Sequence, residues 1–307
     1  MKKEIITIDL GSNSFRVLKF DCENFKILDE YHQVVGLADG LINTQVISQE
    51  AQERVIEALK IAKEKLKFEP KDAICVTTAA MRKAKNSQEV LEFFRRNGGV
   101  NFTIIDEYEE ARLTFLAIKY ALKRENIPNE KFILLDIGGG STELVISNKD
   151  DFLTKSFDFG IVTMTQKTKK NKQLLDLELK NKKEEIKEFI ANLGIDLESY
   201  FFVATAGTPT TIAAIKLGFS YFNYDKNIVN GTVLQIEDLE DSLTLLKETS
   251  FEDLIKIAGK GRVEYLEVGT YIYKIFFEAL EKKSSIVLDD GLREGVAINF
   301  ALNQSKA

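Results

Sequence analysis

The sequence has few of the residues on which many hydrolases are built. It holds one histidine, His32, and two cysteines, Cys22 and Cys75, in 307 residues. One histidine argues against Ser-His-Asp hydrolases, His-rich metal hydrolases and phosphohistidine enzymes, each of which needs one well-placed His or several. His32 itself stands in DEYHQVV beside an apparent strand and reads as structural. Two cysteines far apart in the chain argue against a disulfide scaffold or a zinc site and fit a reducing cytoplasm. No run approaches 18 apolar residues, so no membrane span is expected. No charged leader with an apolar core and cleavage site precedes ITIDL, so no secretory signal is expected either. Positive charge is also short: the net charge is −6. The overall field therefore repels anions, and nucleic acid is not an expected partner. Any phosphate site must be local, built from backbone N–H groups, a few Arg or Lys, and metal.

What is present is an α/β pattern long enough for two domains. IITIDLGSNSFRVLKFD reads as strand, tight turn, strand, and Phe25–Val35 extends the sheet. Apolar Val55, Ile56, Leu59, Ala62 and Leu66 recur at helical spacing over 48–67. Strands are expected at 72–77 and 100–105, with helices at 86–96, ended by Gly98 and Gly99, and at 106–124. The second half restarts with KFILLDIGGGSTELVIS. A strand over 151–159, a Lys-rich amphipathic helix region over 167–192, a strand over 201–206 and a helix over 210–217 follow. The rest is expected to be largely helical up to a strand at 285–289 and a last helix near 292–303.

An internal repeat organises the chain. Ile8-Asp9-Leu10-Gly11-Ser12-Asn13-Ser14 matches Leu135-Asp136-Ile137-Gly138-Gly139-Gly140-Ser141 in register. Two similar α/β halves, each presenting an Asp–Gly turn, are expected to set those turns across a cleft. The expected domains are 1–118 with 291–307, and 119–290. The last helix is assigned to the first domain because Leu292, Val296 and Phe300 need a face to cover.

Several motifs bear on chemistry. The three glycines Gly138, Gly139 and Gly140, followed by Ser141, suit a turn whose backbone N–H groups cradle an anion. Asp136 before the turn and Glu143 after it have the oxygen ligands that Mg²⁺ takes. Gly11, Ser12, Asn13 and Ser14, after Asp9, form the first-half counterpart. TAGTPTT contains a third glycine turn at a helix start, with Gly207 and Thr208. Arg82, after the strand DAICVT, can hold phosphate bidentately. In DEYEEARL, Asp106 suits an N-cap and Glu109 completes a capping box. Glu110 is not needed for capping and can serve as a general base if it faces a cleft. Cys75 and Arg82 are separated by six residues, one too many for a cysteine phosphatase loop, and no Walker A pattern occurs.

These residues stand in segments that together resemble the exopolyphosphatase / guanosine pentaphosphate phosphatase family. The segments are IDLGSNSFRVLKF, TTAAMRKAKN, EEARLTFLAIKY, LLDIGGGSTELV, FDFGIVTM, ATAGTPTTIAA and DDGLREGVAINF, in order along the chain. The resemblance implies two ribonuclease-H-like domains of the actin and sugar kinase type around a central cleft. It implies Glu110 as catalytic base, and Asp136 and Glu143 as holders of Mg²⁺; help from Asp9, and Mn²⁺ as a substitute, are expected beside it. It further implies that Arg82, Gly138–Ser141, Gly207 and Thr208 contact phosphates, and it suggests a homodimer. The family usually has Ser-Gly where Asp106-Glu107 stand here.

The expected reaction is therefore hydrolysis of terminal phosphoanhydride bonds of polyphosphate or guanosine pentaphosphate. A kinase on the same fold and a non-catalytic polyphosphate or nucleotide sensor are the alternatives. Longer relatives carry extra C-terminal domains that can guide long chains. Here the only candidate track is Lys169, Lys170, Lys172, Lys182 and Lys183, which also reads as a solvated helix face. Distributive action on short substrates is the corresponding expectation.

Overall fold

The computed structural model describes residues 2–149, 151–169 and 171–304. It divides into two compact units, Met1–Tyr120 with Asp290–Ala307, and Ala121–Asp289.

The first unit contains β1 (Glu4–Leu10), β2 (Ser14–Asp21), β3 (Lys26–Val34), α1 (Leu41–Thr44), α2 (Gln49–Leu66), β4 (Ile74–Thr77), α3 (Ala79–Lys83), α4 (Ser87–Gly98), β5 (Phe102–Ile104) and the start of α5 (Glu107–Arg124). The sheet order is β3-β2-β1-β4-β5. β1, β2 and β3 form an antiparallel meander, and β4 and β5 add in parallel to β1. β1 is buried from Ile5 to Leu10, as expected for a strand with neighbours on both sides. Ser48 caps α2 by accepting from Ala51 N at 3.2 Å, and Gly99, at φ +68°, ends α4.

The second unit contains β6 (Lys131–Ile137), β7 (Thr142–Asn148), β8 (Asp151–Phe157), α6 (Ile161–Thr168), α7 (Lys172–Leu193), β9 (Phe201–Thr205), α8 (Gly207–Lys216), α9 (Lys226–Val229), β10 (Val233–Gln235), α10 (Ile236–Glu248), α11 (Phe251–Ala258), α12 (Val263–Ala279) and β11 (Ser284–Val287). Its sheet runs β8-β7-β6-β9-β11-β10. The first five strands repeat the order and directions of the first unit, and β10 adds an antiparallel edge. Both units are thus ribonuclease-H-like. The repeat seen in seven residues is a repeat of whole sheets.

The second core is aromatic. Phe157 meets Phe189 and Phe276 edge to face, and Phe202 meets Tyr273 and Phe277. The last helix, α13 (Leu292–Gln304), packs on the first unit. Leu292 and Val296 join Val76, Ile105 and Leu113, while Ala297, Ile298 and Ala301 join Ile5, Leu18 and Phe20. Gly295 makes this docking possible, because a Cβ there would sit 1.9 Å from the Leu113 carbonyl oxygen of α5.

The expected Lys-rich helix is two helices, broken where Lys169 takes a left-handed φ of 47°. The stretch expected to be largely helical also contains β10, whose three residues are too few to show a strand period. Among the described residues, no helix is long and apolar enough to cross a membrane.

Candidate active site

In both units the Asp–Gly turn links the first two strands, and its carbonyls are held from one side. In the second unit, Ile161 N donates to Gly138 O at 3.0 Å, and Val162 N and Thr163 N donate to Gly139 O at 2.9 and 3.2 Å. The first amides of α6 are satisfied in this way. A trans peptide points each carbonyl opposite the next amide, so the N–H groups of Gly139 and Gly140 face away from α6. Amides turned to one side in this manner are what an anion-binding concavity requires. In the first unit, Val35 N and Gly36 N donate to Asn13 O at 2.8 and 3.0 Å, and Ala38 N donates to Ser12 O at 2.8 Å. The segment after the third strand holds the turn in each case.

Gly160 is part of this support, and the sequence alone assigned it no role. A Cβ there would lie 2.5 Å from Gly138 O and 2.6 Å from Gly139 C. Thr142 Oγ1 donates to Phe159 O at 2.8 Å and fixes the approach. The only signal was the FDFG segment, whose glycine acts on a turn some twenty positions away in sequence.

The carboxylates on the two hairpins differ. Asp136 is the register partner of Glu143 across β6 and β7. Directly opposed antiparallel residues place their Cβ atoms about 4.5–5.5 Å apart on one face, where like charges repel. Glu143 is only 2% exposed, and Ser156 Oγ donates to its Oε1 at 2.9 Å. A cation between these carboxylates would offset that repulsion, and carboxylate oxygens are ligands that Mg²⁺ accepts. The pair fits a divalent metal on that ground. Asp9, in contrast, has Arg16 as its register partner. Among the described residues, no group of three or more His, Cys, Asp or Glu is gathered for metal binding.

Glu110 lies in the first turn of α5. Asp106 Oδ1 accepts from Glu109 N at 2.8 Å, as a cap should. The Glu109 carboxylate is forked on Arg112 at 2.7 and 2.8 Å, and Arg112 also reaches Asn299 at 3.1 Å. Glu109 is therefore tied into the helix frame. Glu110 Oε2 instead accepts from Arg82 Nη1 at 2.8 Å, with both side chains largely buried at 12% and 16% exposure. Arg82 Nη1 also donates to Ile105 O at 2.9 Å, which holds the guanidinium to the end of β5. Arg82 Nη2 is buried without a hydrogen-bond partner. A buried orphan donor costs about 1–3 kcal/mol unless something satisfies it.

The third turn carries strain. Ala206, between β9 and α8, has φ 77° and ψ −175°, a region almost exclusive to glycine. Thr210 Oγ1 donates to Ala206 O at 2.8 Å, and Thr211 Oγ1 donates to Gly207 O at 2.6 Å. Gly207 and Thr208 open α8, with Thr208 buried.

A family model for the Ppx/GppA phosphatase family matches residues 17–304. The chain belongs to the Ppx/GppA phosphatase family. The crystal structure of the Aquifex aeolicus Ppx/GppA family member is 28% identical, with a TM-score of 0.75 and coverage of 99% of both chains. An exopolyphosphatase from Cytophaga hutchinsonii shares the fold at TM-score 0.82, with 22% identity and 98% of each chain covered. A bifunctional 3-dehydroquinate synthase/phosphatase of Fusobacterium nucleatum is 26% identical over 97% of this chain. The chain spans about half the length of that curated relative, 46% of it.

In this family member much of the basic helix region is neutralised by nearby acids. Lys167 pairs with Glu178, Lys182 with Glu185, and Lys183 with Glu278. Lys182 also lies over the Phe159 ring. Lys169 and Lys172 are exposed, and Lys170 lies outside the described residues. Lys182 and Lys183 are thus tied to the second unit's own surface.

Proposed function

We propose that this chain releases terminal phosphate from inorganic polyphosphate or guanosine pentaphosphate, using water deprotonated by Glu110. The observation that carries this reading is the Arg82–Glu110 pair beside an unsatisfied Arg82 Nη2. It joins a carboxylate free of capping duty to a donor suited to a phosphate oxygen. The turn amides of Gly138, Gly139 and Gly140, with Ser141, hold phosphate oxygens in this reading, as do Gly11, Ser12, Asn13 and Ser14. Gly207 and Thr208 at the start of α8 complete the set. Asp136 and Glu143 would hold Mg²⁺, or Mn²⁺ in its place, with help from Asp9. Bound there, the ion would offset negative charge on the phosphate oxygens. Glu110 takes the proton of the attacking water, and the shortened anhydride leaves with no covalent enzyme intermediate.

The test is phosphate release from tripolyphosphate and from guanosine pentaphosphate. Glu110→Gln keeps size and removes basicity, so turnover falls roughly 10²–10⁴-fold with KM little changed. Glu109→Gln is the control and keeps most activity. Equal losses in both variants, or full activity in EDTA, would sink the reading. A gel of long polyphosphate should show a ladder of intermediates, since Lys182 and Lys183 are already paired.

A further inference from the structure

The first Asp–Gly turn is held by a segment that is not itself a helix. Val35 N and Gly36 N donate to Asn13 O at 2.8 and 3.0 Å, and Ala38 N donates to Ser12 O at 2.8 Å. In the second unit the corresponding donors open α6, and the helix fixes them from behind: Met164 N donates to Gly160 O at 2.9 Å. After β3 the chain instead makes a tight turn, with Gly36 at φ +56° and Asp39 N donating to Gly36 O at 3.1 Å. The helix that follows, α1, has four residues. Such a segment needs support from elsewhere to hold anything in place.

That support comes from α2. Arg54 Nε donates to Val35 O at 2.6 Å, and its Nη2 donates to Gly36 O at 2.9 Å. The Val35–Gly36 peptide is thereby bonded at both ends, its carbonyl by Arg54 and its N–H by Asn13 O. A charged donor on the carbonyl polarises the peptide group and strengthens the bond that its N–H makes. A planar guanidinium with several fixed donors suits two neighbouring carbonyls. Val55, Ile56 and Leu59 bury the adjoining face of α2, so Arg54 stands on an anchored element. Nη2 also reaches Asp39 Oδ2 at 2.9 Å, but at 42% and 49% exposure such a pair contributes little. The two carbonyl bonds therefore matter most.

We propose that Arg54 is a positioning residue for phosphate binding in the first unit: through the Val35 and Gly36 carbonyls it sets the place of Ser12 and Asn13. This rests on the reading of Gly11, Ser12, Asn13 and Ser14 as phosphate contacts. It adds a residue outside the turn on which those contacts depend. Arg54 acts through backbone and does not itself bind the phosphoryl group.

The test has two readouts on the full-length protein. Amide hydrogen exchange reports on the support. In Arg54→Ala the Val35, Gly36 and Ala38 amides should exchange roughly 10-fold faster or more, the scale of a hydrogen bond to a charged group. Amides of β6 and β7 should keep their wild-type rates, which separates local loosening from global loss. Steady-state kinetics on tripolyphosphate report on function. There kcat/KM should fall by roughly 10-fold to 10²-fold, the upper figure being what a 1 Å misplacement costs, and the change should lie in KM with kcat little altered. Asp39→Asn keeps both carbonyl bonds and should stay near wild type in both readouts. If Arg54→Ala does not fold, Arg54→Met keeps an apolar stem, removes the guanidinium and is read in the same way. Unchanged exchange at Val35, Gly36 and Ala38 overturns the proposal. So do a wild-type KM despite faster exchange, a fall confined to kcat, and equal losses in Asp39→Asn. Failure of the underlying reading looks different. Ser12→Ala and Ser14→Ala would then bind imidotriphosphate, a non-hydrolysable tripolyphosphate analogue, as tightly as the wild type, whereas failure of the Arg54 role alone leaves those two variants weakened.

Discussion

The two Asp–Gly hairpins share backbone and differ in charge. β1–β2 sets Asp9 against Arg16, and β6–β7 sets Asp136 against Glu143. The first pair opposes unlike charges in register, while the second sets two carboxylates opposite each other, with Glu143 only 2% exposed. The same fold element thus carries an acid opposite a base in one half and two opposed acids in the other. Duplication of a fold copies backbone hydrogen bonds, and side-chain substitution at one register position then divides the labour.

The halves can be pulled apart by substitutions, beginning with packing. Gly295→Ala places a methyl 1.9 Å from the Leu113 backbone oxygen on the helix that carries Glu110. Backbone cannot rotate away, so we expect a loss of roughly 1–3 kcal/mol or more in denaturant unfolding. In the second unit Gly269→Ala meets chiefly the Thr208 side chain, 2.2 Å from its Oγ1. A side chain can adjust, so the cost should be smaller. The reverse order would refute the view that α13 sets the position of α5 by backbone contact.

Metal affinity comes next. Asp136→Asn should weaken Mn²⁺ binding, followed by calorimetry, by roughly 10–100-fold, the scale of losses at metal sites. Asp9→Asn should weaken it less, because its register partner is a base and not a second carboxylate. Equal losses would mean the two hairpins contribute alike.

Backbone strain separates the third turns. Ala206 occupies a glycine-like region, whereas Thr78, at the matching junction of the first unit, has φ −129°. Ala206→Gly should therefore raise stability by about 1 kcal/mol, the lower end of the strain such conformations store. No gain in Tm would mean the turn is relaxed as it stands.

The smallest effect is the most pointed. Without metal, Asp136→Asn should stabilise the fold and Asp9→Asn should destabilise it, each by about 0.2–1 kcal/mol. One removes a like-charge pair and the other an opposite-charge pair. Changes of the same sign would break the comparison on which the metal assignment rests.

Much of this was legible in the chain itself. The seven-residue repeat announced two related sheets, because a strand–turn–strand unit is local and its glycines are dictated by local backbone needs. Ser48, Gly99 and Asp106 marked helix ends for the same reason. The buried strands β1 and β6 showed as continuous apolar runs. The candidate residues Glu110, Arg82, Asp136 and Glu143 could be named from motif and resemblance. Which of the acidic residues on α5 meets Arg82 could not be read off, since helix N-termini favour acids for capping and dipole reasons alone. That choice was made by the packing of α3 and β5, which brings Arg82 to Glu110 while Arg112 takes Glu109. Gly160 and Gly295 were likewise silent, because their role is to admit a backbone distant in sequence. The sequence by itself determined the elements and the repeat, which depend on neighbours along the chain. Only tertiary structure decided which charges face each other, because register and close approach join residues that no local pattern connects.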